Sequence, residues 1–468
     1  MSTKTEAVET LQRRPDTALF PILKVGTAPC TEFLKVLFDR NRFDGQPDSK
    51  PLRDQIKAMF GEALTPDAIV TKVIRQVQEG GDKALFELSR QIDNYNLTAR
   101  NMRVSERDLE HADNHLATDL KIALQTAARN IRGFQERLLP NDLMLDGTGG
   151  MRTGLKFIPL DRVGIYVPGG RGAYPSSVLM NAIPAIVAGV REVCICTPPE
   201  AGGSINPAVL YACRLAGVRE VYRIGGAQAI AAMAYGTKTI RPVDMVVGPG
   251  NIFVQLAKLK VFGHCAIDQV AGPSELVVLA DEYADAAYIA ADLLAQAEHD
   301  PLCATLLVTD SAPLAEAVSA VILRQLELLP RREVVRQALV AYGRALITRN
   351  LEEAEALVNR IAPEHVEIHT KEPHKSLLKI TNAGAVFLGQ ATPEVLGDYI
   401  CGPSHTLPTG GTARFTSGLS CLTFLKRLSV VETNDSALRA LSAATMVMAQ
   451  AEGLEAHRRA IEVRIQDI

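Results

Sequence analysis

Apolar residues recur along this chain at two spacings, and the spacing changes near Arg162. Across residues 67–91 and 105–138 they fall three and four apart, as in Val73, Ile74 and Val77, then Ala84, Leu85 and Leu88. That period predicts amphipathic helices. Gly80-Gly81 divides the first stretch into two pieces, and Pro140 ends the second. Beyond Arg162 short apolar runs alternate with helix-length segments. Residues 163–167 are predicted as a buried strand that stops at Pro168-Gly169-Gly170, and Ser176 and Ser177 can cap a helix that runs to Val187 and closes at Gly189. Strands are predicted over 193–196, 221–224 and 244–247, with a helix over 207–215. The string Ala188-Gly189-Val190-Arg191-Glu192-Val193 returns 28 residues later as Ala216-Gly217-Val218-Arg219-Glu220-Val221, a repeated strand–helix unit.

The same rhythm restarts at Glu275, with strands predicted over 276–279, 305–309, 345–348, 366–369 and 384–388. Strands this short and this apolar, joined by helices, imply parallel sheets. The expected class is α/β: two Rossmann-like, doubly wound parallel-sheet domains, with small N- and C-terminal helical segments. Residues 1–60 read as a peripheral N-terminal extension, with a helix over 30–43 and a polar break at 44–48. Residues 61–161 and 276–419 are assigned to a first α/β domain, and 162–275 to a second. After Gly418 the pattern reads as helical, over 435–449 and 452–466. This tail, residues 420–468, has little core of its own, so it is expected to pack on a second copy of the chain.

Length agrees with several domains: 468 residues at roughly 150 per domain gives two to four. A net charge of -3 offers no attraction to nucleic acid or to an anionic membrane. No apolar run approaches the ~20 residues of a membrane span. The eight cysteines form no CxxC, and several lie in strand-like runs, so buried reduced thiols are expected. Residues 1–16 mix acidic and basic side chains without an apolar core, unlike a secretory signal or an acid-poor transit peptide. A cytoplasmic location is expected.

Several polar groups stand out against this background. Gln296 and His299 end a predicted helix three residues apart and share one face of its last turn, a spacing that can supply two metal ligands. An exposed polar helix end would look the same. Pro168-Gly169-Gly170, Gly225-Gly226-Ala227-Gln228 and Gly248-Pro249-Gly250-Asn251 all follow strands, where bare backbone N–H groups can cradle a pyrophosphate. No GxGxxG is present in this region, and tight turns use glycine on their own account.

Glu364-His365 places an acid beside a base just ahead of a strand. Pro363 disfavours a helical Ala362, so the pair lies in a constrained turn suited to proton transfer or to a plain surface dipeptide. His369 and His374 read as surface residues. Asp398 and His405 flank a long Gly-, Pro- and Thr-containing loop. Glu452 and His457 lie about 140° apart on a continuous helix, and can face one atom only if a helix begins between them. Cys303 and Cys401, near His299 and Asp398, could carry an aldehyde covalently, although buried structural cysteine is the commoner case.

These residues together resemble the histidinol dehydrogenase family. The matching strings are residues 164–170, 225–229, 247–252, 271–275, 296–301, 362–365, 397–399, 407–414 and 452–457, in the family's order from about residue 60 to the C-terminus. The resemblance implies one zinc ion per subunit, held by Gln296, His299, Asp398 and His457. It implies that the tail is exchanged in a homodimer, so that Glu452 and His457 complete the partner's site. Ser274, His405 and Glu452 are implied as substrate contacts, beside Gln296, His299, Glu364, His365, Asp398 and His457. Tyr166, Gln228 and Asn251 are implied as NAD contacts.

The implied reaction oxidises L-histidinol to L-histidine through histidinal, reducing two NAD+. His365 would take the alcohol proton, and Glu364 would activate the water that hydrates the aldehyde; no cysteine is needed. One departure is Ser404, where the family usually has Asn before the His. A related zinc and NAD enzyme for another polar alcohol would alter the substrate-holding residues, yet Glu364, His405 and Glu452 are all present. A zinc hydrolase would not need the glycine turns at the strand ends. A non-catalytic relative would have lost a ligand or His365.

Overall fold

The computed structural model describes residues 19–40, 53–54, 56–58, 61–62, 64–169 and 172–466. The polar break expected at 44–48, and Gly170, lie outside them. Fourteen strands run through the described residues. They are β1 Ile22–Lys24, β2 Leu143–Asp146, β3 Arg152–Pro159, β4 Arg162–Tyr166, β5 Glu192–Thr197, β6 Glu220–Arg223 and β7 Met245–Val247. The rest are β8 Ala266–Ile267, β9 Glu275–Ala280, β10 Ala304–Thr309, β11 Gly343–Ile347, β12 His365–His369, β13 Ala385–Leu388 and β14 Leu425–Glu432.

Two sheets are wholly parallel. One has the order β6-β5-β4-β7-β8 and the other β1-β11-β10-β9-β12-β13. With β1 set aside, both follow one plan: the first strand is central, two are laid to one side and two to the other. The order therefore reverses beside β4 in one sheet and beside β9 in the other, which opens a crevice at their carboxyl ends.

Both sheets are covered on both faces, and alternate residues feed opposite cores. In β9, Leu276, Val278 and Ala280 join the core under helices Ala286–Ala297, Ala312–Leu326 and Arg332–Tyr342. Val277 and Leu279 join the core under Ala28–Arg40 and Leu351–Ile361. In the other sheet Val163 and Ile165 pack with helices Thr118–Arg137, Pro175–Val187 and Pro207–Ala216. Tyr166, Cys194 and Cys196 pack with Pro66–Gly80, Gly226–Tyr235 and Ile252–Val261.

Three expectations need correcting. Residues 22–40 are not peripheral: β1 extends the six-stranded sheet beside β11, and Ala28–Arg40 buries Cys30, Phe33, Leu34 and Leu37 in its core. A three-residue strand is too short to leave a periodic signal. Residues 61–161 do not join the cores of the six-stranded sheet, since helices Pro66–Gly80 and Thr118–Arg137 cover the five-stranded sheet instead; they meet 276–419 beside residues 400–402, where Asn130 donates to Ile400 O (3.0 Å). Finally, the stretch after Gly418 is not all helical, for β14 pairs antiparallel with β3, and β3 with β2, as a third small sheet.

The tail then forms helices Asp435–Ala451 and Glu455–Gln466. The second buries none of its residues, and Val431, Val447, Met448 and Val463 stay exposed. No helix among the described residues is long and apolar enough to cross a membrane.

Candidate active site

The site is built at the start of β12. Helix Leu351–Ile361 stops at Ala362, which takes a left-handed conformation (φ 51°, ψ 58°) because a following proline excludes the helical one. Pro363 and Glu364 then meet β13: Gly384 N–H donates to Pro363 O (3.0 Å) and Ala385 N–H to Glu364 O (2.9 Å). A Cβ on Gly384 would lie 2.6 Å from Glu364 O, so only glycine lets this turn close.

Glu275, the first residue of β9, holds both members of the acid–base pair with its backbone. Its N–H donates to Glu364 Oε2 (3.0 Å), and its carbonyl lies 3.1 Å from His365 Nδ1. A carbonyl only accepts, which assigns the proton to Nδ1 and leaves Nε2 as a free base. That Nε2 lies 4.0 Å from Asp398 Oδ1, and Asp398 Oδ2 lies 4.0 Å from His299 Nε2. Asp398 also accepts His405 Nδ1–H through its backbone carbonyl (2.9 Å), and His405 Nε2 lies 3.4 Å from Ser177 Oγ. Gln296, His299, Glu364, His365, Asp398 and His405 are thus gathered in one place. Ser274 adjoins them, with its hydroxyl on the Glu364 carboxylate.

Burial moves the acid and the base toward each other. The Glu364 carboxyl is raised well above the usual range, chiefly by loss of water, with the charges of Glu275 and Asp398 adding to it. The Glu275 N–H and the Ser274 hydroxyl oppose part of that rise. The His365 imidazole is lowered by burial, so it stays neutral and basic near neutral pH. His405 is lowered for the same reason.

Glu394 was missed in the sequence. It is buried, its Oε2 lies 3.6 Å from His365 Nδ1, and Gln296 donates its amide to both carboxylate oxygens (3.1 and 3.3 Å) in the orientation that satisfies the group. Its sequence signal is its place four residues before Asp398 on helix Glu394–Tyr399.

His369, expected at the surface, is buried, at 1% exposure. His365, Glu367 and His369 alternate along one face of β12, and helix Ala286–Ala297 covers that face. Ligand atoms of Asp292, Glu367 and His369 lie within 4.8 Å of one another, a group separate from the four expected zinc ligands. Glu367 Oε1 already accepts the Glu394 N–H (2.7 Å), and burial raises both carboxyls, so the acid pair tends to hold a proton.

Ser404 ties down the loop that carries His405. Its hydroxyl donates to Met180 O (3.0 Å) and accepts Thr406 N–H (3.1 Å). All eight cysteines are free and all but Cys401 are buried. Burial pushes the Cys303 thiol up to about 12, which removes it as a nucleophile.

The residues expected to meet NAD lie at the carboxyl end of the five-stranded sheet. Tyr166 ends β4, and its hydroxyl accepts Gly226 N–H (3.2 Å). Gln228, 1% exposed, has neither amide atom hydrogen bonded. Asn251 caps helix Ile252–Val261 through Phe253 N–H and Val254 N–H (3.1 and 3.2 Å). Gly248 (φ 114°) closes the crevice edge, where a Cβ would overlap Tyr166 O. Beneath this loop lies a buried ion pair: Lys258 donates to Gly248 O (3.0 Å) and contacts Asp268 Oδ1, while Asp268 Oδ2 accepts Gly248 N–H (2.8 Å).

Glu452 and His457 stand apart. Both are exposed, and among the described residues no hydrogen bond or ion pair links either to the cluster. A helix does begin between them, at Glu455, after Gly453 turns the chain with φ 71°.

A family model described as histidinol dehydrogenase matches residues 62–465. The chain belongs to the histidinol dehydrogenase family. It is an oxidoreductase by that membership, and its parallel α/β architecture agrees with the family's fold. It is 48% identical over 402 residues to a histidinol dehydrogenase of Synechococcus sp., covering 86% of this chain and 93% of that protein. It is 49% identical over 398 residues to one of Halalkalibacterium halodurans, covering 85% and 93%. The crystal structure of histidinol dehydrogenase from Elizabethkingia anophelis superposes with a TM-score of 0.88 at 34% identity, covering 96% of this chain and 99% of that one.

Proposed function

We propose that the chain oxidises L-histidinol to L-histidine in two dehydrogenation steps, with one zinc ion per subunit and two NAD+ per substrate. The observation that carries this reading is the Glu275 backbone, which orients Glu364 and His365 together and leaves His365 Nε2 facing Asp398 and His299. Imidazole nitrogen, carboxylate and amide oxygen make a donor set that suits zinc. Gln296, His299 and Asp398 would hold the ion with the partner subunit's His457, and zinc would anchor and orient the polar substrate. The orphaned amide of Gln228 and the glycine turn at Gly248 suit a nucleotide at the crevice of a Rossmann-like unit. NAD+ bound there would supply the hydride acceptor. Tyr166 and Asn251 would border it, and both α/β units would be Rossmann-like and doubly wound.

His365, neutral and with Nε2 free, takes the substrate hydroxyl proton in the first oxidation. Glu364, with its proton affinity raised by burial, takes a proton from the water that hydrates the aldehyde. Ser274, His405 and Glu452 would hold the polar groups of the substrate. The exposed apolar tail supports a homodimer in which Glu452 and His457 reach the other subunit's site.

The test is NADH formed per L-histidinol consumed, with zinc present and after chelation. Two per substrate, lost on chelation and restored by zinc, is expected. One NADH with free aldehyde would overturn the role of Glu364, and none would overturn the substrate.

A further inference from the structure

Glu275 is held by a residue that lies outside the stretch matched to the family. Its carboxylate is buried, and Oε1 accepts Arg40 Nη2 at 2.7 Å with both side chains 4–5% exposed. Oε2 accepts Gly410 N–H (3.2 Å) from the loop that follows His405. Arg40 is itself fixed: Nη1 donates to Leu302 O (2.7 Å), and the guanidinium lies over the Tyr342 ring at 4.8 Å. It is the last residue of helix Ala28–Arg40, which packs on the six-stranded sheet and lies N-terminal to the matched region 62–465.

We propose that Arg40 is a positioning residue for the reaction: by clamping the Glu275 carboxylate it fixes the one backbone unit from which Glu364 and His365 both take their orientation. This rests on the reading that Glu364 and His365 transfer protons. The chain of contacts is short, from Arg40 to the Glu275 side chain, through one residue to its N–H and C=O, and from there to Glu364 Oε2 and His365 Nδ1. An error of about 1 Å at a reacting group can cost ~10²-fold in rate, so slack at Glu275 reads out directly in turnover.

Arg40→Met alone would take the guanidinium from a buried carboxylate and could unfold the protein. The informative variant is therefore Arg40→Met combined with Glu275→Gln, which removes both charges and keeps an acceptor for Gly410 N–H. The folded, zinc-loaded double variant is compared with the wild type for kcat, KM for NAD+ and amide hydrogen exchange. The expected result is a fall in kcat of about 10- to 100-fold with KM for NAD+ and zinc content unchanged. Amide hydrogen exchange over residues 272–278 should quicken by about tenfold, a readout independent of turnover. Wild-type kcat and exchange in the double variant would overturn the proposal, since Arg40 would then only neutralise a buried charge. Quickened exchange in a protein whose wild type shows no histidinol oxidation would instead overturn the proposed function while leaving the clamp in place.

Discussion

Replacing Lys258 by methionine tests how the loop 248–251 is held. Lys258 is fully buried and Asp268 nearly so, and between them they grip Gly248 through its carbonyl and its N–H. Methionine fills much of the space but leaves Asp268 ionised without its cation. Removing one member of a buried pair typically costs ~3–5 kcal/mol, about a third of a stability of ~5–15 kcal/mol. Asp268 keeps Gly248 N–H and Gln269 N–H as donors, which places the expected loss near the lower end of that range. Adding Asp268→Asn removes the stranded charge, so the double variant should recover ~2 kcal/mol or more of the loss. With no tryptophan in the chain, urea unfolding is best followed by far-ultraviolet circular dichroism. NAD+ binding is measured alongside, and a rise of about tenfold in Kd, equal to ~1.4 kcal/mol, is expected in both variants because the loop has lost its lysine tie. A loss below ~1 kcal/mol for Lys258→Met, or a double variant no more stable than the single, would refute the view that this pair is electrostatically coupled.

Three further outcomes follow from the same geometry. Burial lowers His369 from 6.5 to about 4, so between those values its ring binds a proton in the unfolded chain that the folded one refuses, and its own contribution to stability falls as pH drops. Glu367 and Asp292, which burial keeps protonated in the fold but which ionise at lower pH when unfolded, gain stability over the same window and oppose that slope, so His369→Gln should raise stability at pH 4 relative to pH 6.5 by about 3 kcal/mol compared with the wild type. Thiol titration of the native protein should find Cys401 alone reacting quickly, and rapid labelling of any second cysteine would contradict the burial of the other seven. A mixed dimer carrying His365→Ala on one chain and His457→Asn on the other should regain about half of normal activity if each site draws on both chains, whereas two dead sites would show that the tail serves its own chain.

The two parallel sheets were legible because their strands are buried on both sides, which leaves short apolar runs such as Val163-Gly164-Ile165-Tyr166-Val167. The third sheet was not. β2 is exposed along its whole length, and β14 reads Leu425-Lys426-Arg427-Leu428-Ser429-Val430-Val431-Glu432, with no clean alternation. His369 misled for the opposite reason. His365-Val366-Glu367-Ile368-His369 alternates perfectly, and an alternating strand ordinarily turns its polar side to water. Here that side is roofed by helix Ala286–Ala297, and Asp292 and Gln296 on the helix answer the polar residues below.

The same inversion explains which parts of the site a sequence can disclose. Glu364, His365, Asp398 and His405 are side chains with chemical character, and their types alone drew attention to them. Glu275 stood out only as the end of a matching string and the start of a strand, with no chemical role, although it supplies the hydrogen bonds that choose the His365 tautomer and aim Glu364, because it does so with a backbone N–H and C=O that every residue but proline possesses. Its side chain then becomes the handle by which Arg40 and Gly410 hold that backbone still. Glu394 belongs to the same class, since its influence on His365 exists only once β12 and helix Glu394–Tyr399 are brought together. A site of this kind is specified twice, by reactive side chains that sequence displays and by supporting groups that only the fold selects. Substitutions at Arg40 and Glu275 should therefore impair the chemistry while leaving every reactive side chain named by the sequence motifs untouched.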